Sequence, residues 1–187
     1  MHTVVAYLRQ VDLRPSGATG LKGVPYQAID GVGERDPQER WEAFQPSVDG
    51  KRVLDLGCNL GFFSARALAA GATSVEGYDR DAVVLESAVT LHPELDGSLA
   101  VMDLNKTVPE GEYDVAFCLS VYQHLEPAAR ERVLQLLKTV PVIYWEDSVL
   151  DAKGLKAQGF EVELLGRSER VRDLCKLTSP ALEVANA

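Results

Sequence analysis

The sequence lacks any apolar run of membrane-spanning length, has only three cysteines, and contains no strongly basic block. The first shortage excludes a helical membrane span. The opening "MHTVVAYLRQVDLRPSG" has no positively charged segment leading into an uninterrupted apolar region, so no export signal is expected either. Cys58, Cys118 and Cys175 are odd in number, far apart and without metal-ligand spacing, which excludes a disulfide framework and a cysteine-held zinc site. A soluble protein of the reducing cytoplasm is the expectation. The formal net charge is -9, and neutralising phosphates needs clustered Lys and Arg, so a nucleic-acid partner is not expected. A small or weakly charged acceptor suits this balance better, and the chain is expected as a monomer or a homodimer. No internal repeat or low-complexity segment is evident.

What is present is 187 residues of mixed apolar and charged composition, enough for one domain with a buried core. Residues 1–48 are dense in Gly, Pro and charge and end in "DPQERWEAF", which reads as a short helix carrying Trp41 and Phe44 on one side. This segment is expected to cap a domain spanning 49–187. From Arg52 onward, short apolar runs alternate with amphipathic segments, the signature of strand-helix-strand units and of an α/β fold with a parallel sheet. Strands are expected over 52–56, 74–78, 98–102, 113–119, 140–145, 160–165 and 173–178. Helices are expected within "GFFSARALAAG", "RDAVVLESAVTLH" and "EPAARERVLQLLKTV". Only a short polar turn around "GRSERV" separates the last two strands, so an antiparallel hairpin should close a seven-stranded, otherwise parallel sheet.

Ligands bind such sheets at the carboxyl ends of the strands, which singles out "KRVLDLGCNLGFFSARAL". Gly57 and Gly61 remove side chains where the backbone must approach a ligand, and Asn59 tolerates the left-handed conformation. Purely structural loops contain such turns too. Later stretches add weight. "SVEGYD" places Asp79 at the end of the second strand, where a carboxylate can accept hydrogen bonds from two ribose hydroxyls. "LAVMDL" places Asp103 after the third, between Met102 and Leu104, and "YDVAFCLSVYQHL" ends the fourth over the same cleft. Singly, Asp79 and Asp103 read equally well as solvated carboxylates or helix caps. Placed together after consecutive strands, they point to a nucleotide-like cofactor. A nicotinamide-binding protein would also use a glycine turn and an acidic residue, but its Gly-x-Gly-x-x-Gly pattern is absent and it gives no reason for Met-Asp-Leu.

From about residue 50 to residue 178 the order and spacing resemble a class I S-adenosylmethionine-dependent methyltransferase. "VLDLGCNLG" stands where that family has hydrophobic, hydrophobic, Asp or Glu, x, Gly, x, Gly, x, Gly, with Asn59 replacing the middle glycine. The resemblance implies a Rossmann-like sheet and S-adenosylmethionine as cofactor. It also implies that Asp55, Gly57, Cys58, Asn59 and Gly61 wrap the methionine part and that Asp79 holds the ribose. Asp103 would receive the adenine amino group with Met102 and Leu104 against the ring, and Leu119 and Ser120 would lie near the methionine end. The stretch "GERDPQERWEAFQPSVDGKRVLDLGCNLGFFS" further resembles a subgroup in which a short N-terminal helix precedes the first motif and helps close the pocket.

Methyl transfer from a sulfonium is an in-line displacement, so the protein chiefly aligns the reactants and excludes water. A base is needed only when the acceptor must lose a proton. His124 in "VYQHLEP" is the first candidate; its alternative is to pack or cap the following helix. Glu146 and Asp147 in "YWEDSVLD" are the second: they can activate a hydroxyl, bind a divalent cation with another carboxylate, or face solvent. A metal is not favoured, because metal-dependent members of the family have an acidic residue just after the fourth strand, where this chain has "LSVYQH". Tyr26, Gln27, Trp41, Tyr122 and Trp145 are candidates for the acceptor pocket, although a tryptophan placed like Trp41 more often belongs to a core. Arg167, Arg170 and Arg172 can meet an anionic acceptor or belong to a solvated turn. The expected activity is O-methylation of a small hydroxylated acceptor, such as a sugar or specialised metabolite. Two alternatives stay open. The N-terminal helix is loosely similar to that of enzymes alkylating the wobble uridine of transfer RNA, and a protein can hold the cofactor without chemistry.

Overall fold

In the computed structural model the residues described are 26–29 and 33–180. Residues 1–25 and 30–32 of the expected cap, and 181–187 at the end of the expected domain, lie outside the described residues. The apolar runs form β1 (Arg52–Leu56), β2 (Ser74–Asp79), β3 (Leu99–Val101), β4 (Val115–Leu119), β5 (Val142–Glu146), β6 (Glu161–Arg167) and β7 (Asp173–Thr178). These make one sheet in the order β3-β2-β1-β4-β5-β7-β6, with β7 alone antiparallel to its neighbours. From β1 the chain moves outward to β2 and β3, then returns to place β4 on the other side of β1. That reversal opens a crevice at the carboxyl ends of β1 and β4.

Successive strand residues point to opposite faces of the sheet, and a strand covered on both faces must be apolar throughout. One face sets Leu54 and Leu56 beside Ala116, Cys118, Ile143 and Trp145, under Val133, Leu134 and Leu137 of α4 (Pro127–Leu137). The other sets Val53, Val115, Phe117 and Tyr144 against Trp41 and Phe44 of α1 (Pro37–Phe44) and Phe63 and Ala67 of α2 (Phe62–Ala69). Among the described residues the remaining α-helices are α3 (Ala82–Leu91) and α5 (Ala152–Ala157). Helix starts follow local chemistry. Asp36 accepts a hydrogen bond from the Gln38 N–H at 2.8 Å and Pro37 opens α1, while Asp81 accepts from Val83 at 3.0 Å and from Val84 at 3.3 Å to start α3.

Several boundaries differ from the expected ones for visible reasons. β4 begins at Val115 because the two residues before it are committed elsewhere: the Asp114 carboxylate accepts from the Arg52 N–H at 2.9 Å, and the Tyr113 hydroxyl donates to Glu76 at 2.6 Å. β5 begins at Val142 because Pro141 has no N–H for the ladder, and it runs on to Glu146, which pairs with Leu119. Two single 3₁₀ turns, Pro93–Leu95 and Tyr122–His124, were not expected from periodicity. Among the described residues no helix is long and apolar enough to cross a membrane.

Candidate active site

The crevice holds a cavity of about 260 Å³. Its wall includes Gly57 and Asn59 of the glycine turn, Asp79 after β2, Met102, Asp103 and Leu104 after β3, and Leu119, Ser120 and His124 after β4. Tyr26 closes it from the cap. The turn is shaped by three left-handed residues, Gly57 (φ 70°), Asn59 (φ 51°) and Gly61 (φ 77°). Gly57 has no room for a side chain, since a Cβ there would lie 2.1 Å from Val121 Cγ2. Below the turn, Asp55 is buried and accepts a hydrogen bond from Ser64 Oγ at 2.7 Å; burial pushes its carboxyl up to about 6 in spite of that bond. Cys58 is buried beside it, and burial raises its thiol well above the ordinary range.

Asp79 is positioned by two backbone donors, the Asn59 N–H and the Asp81 N–H, each at 3.1 Å. Its carboxyl is raised by burial, against the lowering effect of those amides. Asp103 accepts from the Asn105 N–H at 3.0 Å and faces the same cavity between the apolar side chains of Met102 and Leu104. Each carboxylate has further lone pairs for the hydroxyls or amino group of a nucleoside. This donor and acceptor set, with apolar faces around it, fits the S-adenosylmethionine that the sequence motif implies. Among the described residues no group of three or more His, Cys, Asp and Glu side chains is placed to hold a metal ion.

The other end of the cavity departs from expectation. Glu146 does not face an open pocket: it is fully buried, 2.5 Å from Arg35 Nη2 and 3.3 Å from Arg40 Nη1. Burial pushes its carboxyl up, but the Arg35 and Arg40 guanidiniums outweigh this and hold it below the ordinary value. Its role is to fasten the cap to the end of β5. Asp147 is likewise occupied, accepting from the Gln123 N–H at 2.8 Å and the Val149 N–H at 2.7 Å. Trp41 lies in the core, its ring 6.0 Å from those of both Phe63 and Phe117. Trp145 is buried, donating Nε1–H to the Leu150 carbonyl at 3.1 Å and packing on Tyr122 at 5.1 Å. Neither tryptophan nor Tyr122 borders the cavity. Gln27 instead clamps the glycine turn, donating to the Cys58 carbonyl at 3.3 Å and accepting from the Phe62 N–H at 3.5 Å.

His124 does border the cavity, at the end of its 3₁₀ turn. Partial burial lowers its ring below the ordinary imidazole value; Asp147 opposes this, and Arg80 and Arg172 add to it. This lowering favours the neutral imidazole, the form that can accept a proton. Arg35 and Arg80 were not singled out from sequence. Arg80 follows Asp79 directly and lines the cavity, whereas no local pattern marks Arg35, whose partner is 111 positions away.

This sheet order and strand-end site are those of the class I S-adenosylmethionine-dependent methyltransferase fold. A family model described as "Methyltransferase domain" matches residues 53–140. Among named relatives, the chain is similar to the tRNA U34 carboxymethyltransferase of Helicobacter acinonychis (strain Sheeba), with 33% identity over 116 residues, covering 57% of this chain and 42% of the relative. The enzyme of the same name from Pseudomonas aeruginosa (strain LESB58) is 40% identical over 93 residues, 46% of this chain and 28% of the relative. The chain thus spans less than half the length of the curated relatives it matches. A crystal structure of WbdD shares the fold, with a TM-score of 0.69 and 24% identity over 92% of this chain and 46% of that one.

Proposed function

We propose that this chain is a methyltransferase that transfers the methyl group of S-adenosylmethionine to an oxygen of a small hydroxylated acceptor. The observation that carries this reading is the shared wall of the cavity, on which the acidic strand ends suited to the cofactor and the neutral imidazole of His124 meet. When bound, the cofactor supplies an electrophilic methyl carbon on a sulfonium. Asp79 and Asp103 hold the nucleoside part. The cap, through Tyr26, and Leu119 keep water from the transfer end. His124 takes the hydroxyl proton as the acceptor oxygen forms its bond to carbon and the carbon–sulfur bond breaks, its electron pair remaining on sulfur. Gln123 Nε2 lies 3.0 Å from His124 Nε2. Donation there selects the tautomer with the proton on Nδ1 and the lone pair on Nε2.

Transfer to tRNA is the second reading, favoured by the names of the curated relatives. The net charge of -9 weighs against it, since tRNA binding requires neutralised phosphates. Release of S-adenosylhomocysteine by the purified chain, measured with tRNA and with a panel of hydroxylated small molecules, tests both. Turnover with tRNA alone would replace the first reading with the second.

A further inference from the structure

The transfer end of the cavity is built from hydrogen-bond donors. Ser120 Oγ accepts from Arg35 Nη1 at 3.2 Å and from Arg172 Nη1 at 2.8 Å. Both lone pairs of the hydroxyl are thereby used, and what it has left to offer is its O–H. The Tyr26 hydroxyl accepts from Arg35 Nη1 at 3.3 Å and likewise keeps its O–H to donate. Both side chains line the cavity. Ser120 is held there by the fold, buried and in a left-handed conformation at φ 61°, with its N–H bonded to the Glu146 carbonyl at 2.6 Å.

Charge is unevenly matched at this end. Arg35 meets Glu146 and Glu169, Arg40 meets Glu146, and Arg170 meets Glu34 at 2.9 Å. Arg172, half-buried at the turn into β7, has no carboxylate within ion-pair distance among the described residues. Asp147 spends its oxygens on two backbone amides. Arg172 is outside the residues that line the cavity and meets them through Ser120; a partly desolvated guanidinium bonded to a hydroxyl of the cavity wall suits a ligand rich in acceptors, and the strong partners of a guanidinium are oxyanions. We propose that Arg172, together with the hydroxyls of Ser120 and Tyr26, binds an oxyanion carried by the acceptor, a phosphate or a carboxylate, and so selects an anionic small molecule over a neutral one. This rests on reading the cavity as a joint cofactor and acceptor site. It moves acceptor choice onto the β6–β7 hairpin, away from the strand ends that hold the cofactor.

The test is calorimetric titration of the full chain saturated with S-adenosylhomocysteine, using inorganic phosphate and, separately, acetate as probes, with ionic strength held constant by sodium chloride. Saturable binding of at least one probe to the wild-type complex is expected, and the tighter probe assigns the class of oxyanion. Arg172→Gln should weaken that binding by about tenfold or more, as expected for hydrogen bonds to a charged group, while Arg172→Lys retains part of it. Affinity for S-adenosylhomocysteine should be little changed in either variant. The inference is overturned if neither probe binds the wild-type complex, or if Arg172→Gln binds as the wild type does. Should Arg172→Gln fail to fold, the wild-type titration and Arg172→Lys decide in the same way. A wild-type chain that does not bind S-adenosylhomocysteine would overturn the underlying reading, and this inference with it.

Discussion

Glu146→Gln removes the charge on which the cap is fastened. Glu146 and Arg35 are each 0% exposed and 2.5 Å apart, and Arg40, 3% exposed, stands 3.3 Å from the second oxygen. Glutamine keeps the volume and one acceptor but leaves Arg35 to Glu169 alone, and Arg40 with no carboxylate partner among the described residues. Removing one partner of a buried ion pair costs about 3–5 kcal/mol, and the surviving Glu169 contact favours the lower end, about 3 kcal/mol. At this chain length about 1 kcal/mol moves the melting midpoint by roughly 2–4 °C, so a drop of roughly 6–12 °C follows. The wild-type carboxyl is held below its unfolded value, so its stabilisation is present above that value and is lost as pH falls through the folded one. The cost of Glu146→Gln should accordingly shrink in acid. Urea unfolding of Glu146→Gln, Arg35→Met and the double variant should show the double to be less destabilised than the sum. Loss of less than about 0.5 kcal/mol in Glu146→Gln at neutral pH would refute this account of the cluster. Abolished turnover with stability intact would instead return Glu146 to the role of base.

Asp55→Asn should act in the opposite direction. Because burial raises the Asp55 carboxyl to about 6, the folded chain keeps a proton that the unfolded chain releases, and stability is lost as pH rises from the ordinary carboxylate range through that value. Near pH 8 the variant should be more stable by roughly 2–3 kcal/mol, with the gain fading below about pH 4 in denaturant melts; equal or lower stability near pH 8 would show that the carboxylate is well solvated or paired. Asp79→Ala should bind S-adenosylhomocysteine about 10- to 100-fold more weakly by calorimetry, since it removes charged acceptors for two hydroxyls. Unchanged affinity in a folded variant would confine Asp79 to shaping its turn. His124→Ala should lower the turnover rate by about 100-fold and abolish the acid limb of the rate profile, which in the wild type should lie below the ordinary imidazole value because burial lowers the ring. A folded variant that keeps both the rate and the limb would remove His124 from the chemistry.

The sheet was legible in the chain because its signals are local. The apolar run Val115–Leu119 is continuous where both faces are covered, and Asp36 with Pro37, or Asp81 ahead of Ala82, starts a helix using atoms within a few residues. Gly57, Asp79 and Asp103 could be placed for the same reason: a parallel sheet brings the ends of its strands to one edge whatever the details of packing. The tertiary structure decided what depends on distant neighbours. Whether an aromatic lines a pocket or fills a core turns on which face of the sheet it meets, and Trp41 and Trp145 meet covered faces. Glu146 at the end of an apolar strand read as a base, a cation ligand or a solvent-facing carboxylate, yet pairing of β5 with β4 and β7 carries it beneath the cap, where Arg35 arrives from 111 positions upstream. Ser120 takes a left-handed conformation that serine does not announce, and its hydroxyl joins Arg35 to Arg172. Pairings of buried charge are chosen by the folded arrangement of strands, because only there does desolvation make a specific counter-ion necessary.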